Sequence, residues 1–193
     1  MKYLFIATCF LLVALTACDD DENSSGEESG IENMDGVREM ELTTTAFSQG
    51  KSIPEKHTCD GDNVSPALSF GEVPAKAQTL AIIMDDPDAP NKTYVHWVLW
   101  GIPGDSKGIE GGITDEKNPA DGIFQGTMSG NKIGYRGPCP PEGQEHRYFF
   151  KLYALDTRLD LDSETTKENL LDAMEDHIIG YAELMGRYKR QEK

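Results

Sequence analysis

Tyr94-Val95-His96-Trp97-Val98-Leu99-Trp100 is the stretch that decides the fold class. It is rich in β-branched and aromatic residues, and a strand sends successive side chains to opposite faces. Both faces here are largely apolar, so the strand is predicted to be central and covered on both sides. Similar short apolar runs occur at 42–47, 79–84 and 147–155, separated by loops that contain Gly and Pro. That pattern predicts a mainly β, β-sandwich-like domain. One helix is predicted near the C-terminus, with Thr165 and Glu168 as a capping box, Leu170, Leu171, Met174 and Ile178 as its apolar stripe, and Gly180 as its end. Residues 181–188 fit a strand or a helix equally well. Residues 101–137 are glycine-rich and loop-like, a kind of long connection that commonly carries function.

Working outward from the apolar runs, Lys2 precedes an apolar stretch at 3–14 and then Leu15-Thr16-Ala17-Cys18. This reads as a secretory signal over residues 1–17, its apolar part falling short of the ~20 residues a spanning helix needs. The four-residue ending resembles the lipobox of bacterial lipoproteins. That resemblance implies that Cys18 is acylated, for instance with palmitate, and becomes the new N-terminus. Several acyl chains anchor firmly, at about 0.8 kcal/mol per buried methylene. The expected location is the bacterial cell envelope, lipid-anchored and facing the periplasm or the cell exterior. Residues 18–39 are expected to be an acidic, disordered tether, since 19–30 contain no large apolar residue to bury. Residues 40–193 are then one domain of 154 residues, long enough for a single good core.

The chain has 34 acidic and 18 basic residues, a net charge of −16. No run of Lys or Arg exceeds the pair Lys189-Arg190, so the basic footprint that grips a phosphate backbone is missing and nucleic acid is excluded as a partner. The charge divides unevenly. Residues 19–39 hold nine acids and one base, while 40–193 hold 25 acids and 16 bases, a net of −9.

Three stretches set polar groups beside stiff backbone. In Asp85-Asp86-Pro87-Asp88-Ala89-Pro90 the prolines restrict φ, so the Asp86 and Asp88 carboxylates are predicted to sit in a rigid turn at a strand end. His96 is polar in an apolar strand and needs a hydrogen-bond partner; the Asp86/Asp88 turn is the nearest candidate in sequence. The third stretch is Tyr135-Arg136-Gly137-Pro138-Cys139-Pro140-Pro141-Glu142-Gly143-Gln144-Glu145-His146-Arg147-Tyr148, where glycine permits close approach and proline stiffens the wall. A carboxylate orients an imidazole and favours its charged form. Two such histidines over glycine amides suit a small anion such as a phosphate; the same residue types also serve metal binding or acid/base catalysis. The sequence contains no G-x-S-x-G, P-loop, HExxH, EF-hand or CxxC spacing, so a nucleophile or metal motif is lacking.

Together, Cys59-Asp60-Gly61-Asp62-Asn63-Val64-Ser65-Pro66, Asp86-Pro87-Asp88-Ala89-Pro90, His96-Trp97, Gly137-Pro138-Cys139-Pro140-Pro141 and His146-Arg147-Tyr148 resemble the phosphatidylethanolamine-binding protein family, in particular its bacterial Raf kinase inhibitor-like branch, over about 42–188. The resemblance implies a sandwich of two antiparallel sheets with peripheral helices and a small pocket for phosphate-like anions, phospholipid head groups included. It implies ligand-binding roles for Asp86, Asp88, His96, Gly137, Pro141, His146 and Tyr148. It also places Cys59 and Cys139 near the pocket, where an oxidising compartment favours a disulfide between them; two buried free thiols are the alternative. The loop from Gly137 to His146 differs in length from that of eukaryotic members, and the sequence ends soon after Tyr188 where those members carry a longer C-terminal helix over the pocket mouth, so their head-group and partner preferences need not carry over.

The expected function is a non-enzymatic binding module of the cell envelope that holds a small phosphorylated ligand or a phospholipid head group, with no cofactor and no metal. A protein inhibitor or regulator of an envelope protease or other protein is the alternative, and an acid/base enzyme acting on phosphoesters stands third.

Overall fold

The computed structural model describes residues 36–113 and 115–192. The signal expected at 1–17, the lipidation expected at Cys18 and most of the expected tether therefore lie outside the described residues. The strands are β1 (Arg38–Glu39), β2 (Leu42–Thr43), β3 (Leu68–Phe70), β4 (Thr79–Asp86), β5 (Tyr94–Pro103), β6 (Gly108–Ile109), β7 (Phe124–Gln125), β8 (Thr127–Met128), β9 (Lys132–Ile133), β10 (Glu145–Leu155) and β11 (Ile178–Lys189). Among the described residues one α-helix occurs, α1 (Lys167–Met174).

A six-stranded sheet runs β1-β11-β10-β4-β5-β7, and a three-stranded sheet β2-β3-β6 packs against it. All pairings in these two sheets are antiparallel except that of β1 with β11. The result is the mainly β sandwich that the apolar runs predict. β4 and β5 are buried along almost their whole length because the large sheet is covered on both faces. On one face Leu80, Ile82, Met84, Trp97, Phe150 and Leu152 pack against Leu42, Leu68 and Phe70 of the small sheet. On the other, Ala81, Ile83, Val98, Trp100 and Tyr153 pack against Leu170 and Met174 of α1. The helix is tied down by charge as well, since Lys167 Nζ donates to the buried Asp85 carboxylate at 2.6 Å, on which Lys151 Nζ also lies at 3.4 Å.

Several boundaries differ from the sequence reading. Arg38 and Glu39, which the sequence reading places in a tether, find backbone partners along Gly180 and Tyr181 of β11. Residues 42–47 supply only the two-residue β2. The helix cap is Thr166 with Asn169, one residue later than Thr165 with Glu168; the Thr165 carbonyl is engaged by Thr127 N of β8, which fixes the phase. The helix stops at Met174, and Ile178 and Gly180 belong to β11, whose ladder with β10 supplies more hydrogen bonds than another helical turn would. Residues 181–188 are therefore strand.

Candidate functional site

The cavity arises where β4 stops. Pro87 has no N–H to extend the ladder, and Asp88 N turns back onto Asp86 Oδ1 at 2.8 Å. β10 begins earlier in the sheet than β4 ends: its residues 145–148 pair with β11 alone, His146 opposite Tyr188 and Tyr148 opposite Gly186. Asp88 substitutes for the missing strand by accepting the Arg147 backbone N–H at 2.8 Å and the guanidinium Nε and Nη2 at 3.0 and 2.8 Å. These Arg147 bonds hold the Asp88 carboxyl below the usual carboxylate range.

On β5 the register skips His96: Met84 pairs with Trp97 and Asp85 with Val95. Such a bulge re-aims side chains. Val95 and Val98 join the α1-side core while Trp97 joins the opposite one, and the bulge turns His96 to the same side as Trp97, with its ring edge-on to Tyr148 at 5.3 Å. The Arg136 backbone brackets it, as His96 O accepts from Arg136 N at 3.0 Å and His96 Nδ1 donates to Arg136 O at 2.7 Å. Burial pushes the ring's pKa down to about 4. His96 is therefore neutral at ordinary pH, with the proton on Nδ1 and an acceptor lone pair on Nε2.

His146 takes the partner that the sequence suggested for His96. Its Nδ1 lies 2.8 Å from Asp86 Oδ2, and both side chains are 5% exposed. Burial raises the Asp86 carboxyl above its usual range, opposed chiefly by the hydrogen bond from His146. Asp86 thereby orients the ring and leaves Nε2 as its remaining polar atom on the cavity side.

The cavity has a volume of about 360 Å³, and Asp86, His96, Pro141 and His146 line it. Three other sequence candidates are placed elsewhere. Asp88 is committed to Arg147. Tyr148 lies behind His96, fully buried; its hydroxyl has no partner in hydrogen-bond geometry although the Asp86 carboxyl and the Cys139 backbone lie close enough to perturb it. Gly137 is a contact point between loops, its N–H donating to Asn63 Oδ1 at 2.8 Å, and a Cβ there would stand 2.3 Å from His57 O. Cys59 and Cys139 are joined in a disulfide with Cα atoms 5.4 Å apart.

The lining also includes Pro140 of the quoted motif, and Tyr94, Arg136 and Arg190, which sequence reasoning missed as site residues. Arg136 stood inside the third stretch, beside Gly137. Arg190 lies past the end of the resembling region and carried no motif signal. Among the described residues no group of three or more His, Cys, Asp or Glu side chains is placed to hold a metal ion, and no helix is long and apolar enough to cross a membrane.

An antiparallel β-sandwich with a buried Asp–His pair and a second histidine in one cavity defines a ligand-binding class of fold. The chain belongs to the phosphatidylethanolamine-binding protein family, whose sequence model matches residues 43–189. A UPF0098 protein of Methanothermobacter thermautotrophicus is 52% identical over 151 residues, covering 78% of this chain and 99% of the relative. The crystal structure of a phosphatidylethanolamine-binding protein homologue from Chlamydia trachomatis is similar, with a TM-score of 0.72, 39% identity, and coverage of 80% of this chain and 100% of that one. Escherichia coli YbcL, a member of the mammalian family by its own description, gives a TM-score of 0.73 at 26% identity over 79% of this chain and 99% of its own.

Proposed function

We propose that this protein is a non-enzymatic binding module that holds a small phosphorylated ligand or a phospholipid head group. The observation that carries the reading is the buried Asp86–His146 pair sharing one cavity with a neutral His96. A phosphoryl group entering there meets two arginines of the lining, Arg136 and Arg190, and the outward nitrogen of His146. His96 Nε2 accepts, and so calls for a donor on the ligand, either a phosphate O–H or an ammonium. The cavity volume lies within the range of small-ligand sites. We place the protein in the Raf kinase inhibitor-like branch, on the motif order, and at the bacterial envelope through acylated Cys18, on the signal and lipobox pattern.

Calorimetric titration of the full chain with inorganic phosphate and with O-phosphoethanolamine tests the reading. Binding is expected for at least one, weakened about threefold or more in His146→Gln, since a hydrogen bond contributes about 0.5–1.5 kcal/mol. Absence of binding, or equal binding by the variant with an unchanged circular dichroism spectrum, refutes the site. Phosphoester hydrolysis by the wild type that disappears in His146→Gln refutes the non-enzymatic part.

A further inference from the structure

The last residues of β11 and those that follow bring a cation to the cavity in an unusually fixed state. Arg190 lines the cavity, and its Nε sits 3.1 and 3.2 Å from the two carboxylate oxygens of Asp60. Asp60 also accepts from the Tyr188 hydroxyl at 2.8 Å. The Arg190 carbonyl accepts from Gly143 N at 3.0 Å. Arg190 is thus tied to two loops, the one carrying Asp60 and the one forming the cavity wall, and the Cys59–Cys139 disulfide joins those same loops. Its side chain is 26% exposed. Among the described residues Nη1 and Nη2 of Arg190 have no hydrogen-bond partner, so the fork end of the guanidinium is available while its Nε edge is spent on Asp60. A guanidinium with its torsions already restricted loses less freedom when it grips an oxyanion than a mobile surface arginine does.

We propose that Arg190 is a ligand-contacting residue that grips the phosphoryl group of the cavity's ligand through its free fork, and that Asp60 is its positioning residue. This rests on the reading of the cavity as a phosphoryl-binding site. The chemistry it selects is a phosphoryl group bearing at least one ionised oxygen, carried on a soluble phosphomonoester or on a lipid head group. An ammonium without a phosphoryl group gains nothing from Arg190.

The test uses the full chain with O-phosphoethanolamine and, separately, a short-chain phosphatidylethanolamine kept below its micellar concentration; whichever binds identifies the source of the phosphoryl group. Arg190→Gln is expected to weaken that binding tenfold or more, and Arg190→Lys to recover part of the loss by restoring the charge without the fork. Asp60→Ala is expected to weaken binding threefold or more in the wild-type background and to have no further effect in Arg190→Gln, a coupling that a merely structural role for Asp60 would not produce. Unchanged affinity in Arg190→Gln, with wild type binding, overturns this inference and leaves the cavity reading standing. Fully additive losses overturn the positioning role of Asp60. If the wild type binds neither probe, this inference falls; if it binds no inorganic phosphate either, the cavity reading falls with it.

Discussion

Replacing both Cys59 and Cys139 by alanine tests how much of the fold depends on the cross-link between the Asp60 loop and the cavity wall. The two cysteines are 80 residues apart in sequence, and the bond closes a loop that holds β3 to β9. In the chain-entropy account, opening a loop of that length frees the unfolded state by about 4.5 kcal/mol at 25 °C. Removal of natural cross-links in measured cases costs roughly 2–5 kcal/mol, so a loss of about 2–4.5 kcal/mol is expected. The folded state itself should change little, because the two loops keep other ties. Cys59 N donates to Pro138 O at 3.1 Å, Gly137 N to Asn63 Oδ1 at 2.8 Å, and the Asp60 carboxylate still holds Arg190. With an unfolding entropy near 0.3 kcal/mol/K for ~150 ordered residues, the expected drop in Tm is roughly 6–14 °C. Scanning calorimetry of the variant and of the unreduced wild type measures it, with non-reducing peptide mapping to assign the bond. A Tm within about 2 °C of wild type, or recovery of Cys59 and Cys139 as free thiols from the native protein, would refute the reasoning.

Two further outcomes follow from the site. His96 has a folded pKa of about 4 against 6.5 in the unfolded chain, so between those values the unfolded state binds more protons and stability rises with pH. Its contribution is complete above pH 6.5 and falls by about 3 kcal/mol as the pH drops to about 4. The lowered Asp88 carboxyl adds its own loss below the ordinary carboxylate range, and the raised Asp86 carboxyl acts in the opposite sense. Urea midpoints of wild type and His96→Gln across pH 4–7.5 isolate the histidine, and parallel curves would count against it. Gly137→Ala places a Cβ 2.3 Å from His57 O and 2.8 Å from Thr58 Cα, both backbone atoms. The loops must separate, at a cost of about 1–3 kcal/mol; a urea midpoint equal to wild type would show that the contact yields freely.

The long strands were legible because their signal is local. β4 and β5 are apolar on both faces, and the large sheet is indeed covered on both faces. Other features were set by partners distant in sequence. The cap shifted from Thr165 to Thr166 because β8 uses the Thr165 carbonyl, and the helix stopped at Met174 because β11 pairs with β10 from Ile178 onward. His96 illustrates the same limit within the site. Its residue type marked it as a polar group needing a partner, yet the bulge that turns it toward Arg136 O depends on the register between β4 and β5, which leaves no mark on residues 94–100. Asp86 and Asp88 look equivalent in sequence, but the end of β4 falls between them, so one carboxyl orients His146 and the other replaces a strand for Arg147. Arg190 reaches the cavity only because β11 runs the full length of the sheet.

That length also separates entry from opening. β1 joins the sheet at Arg38 opposite Gly180, where β11 begins, whereas the cavity is bordered by Arg190 just past its end. Ten residues of extended chain at about 3.3 Å each place these points roughly 30 Å apart. A lipid on Cys18 would hold the domain by the end opposite its cavity. A dissolved ligand could then enter directly, while a head group in the anchoring leaflet would lie at the far end of the domain from the cavity.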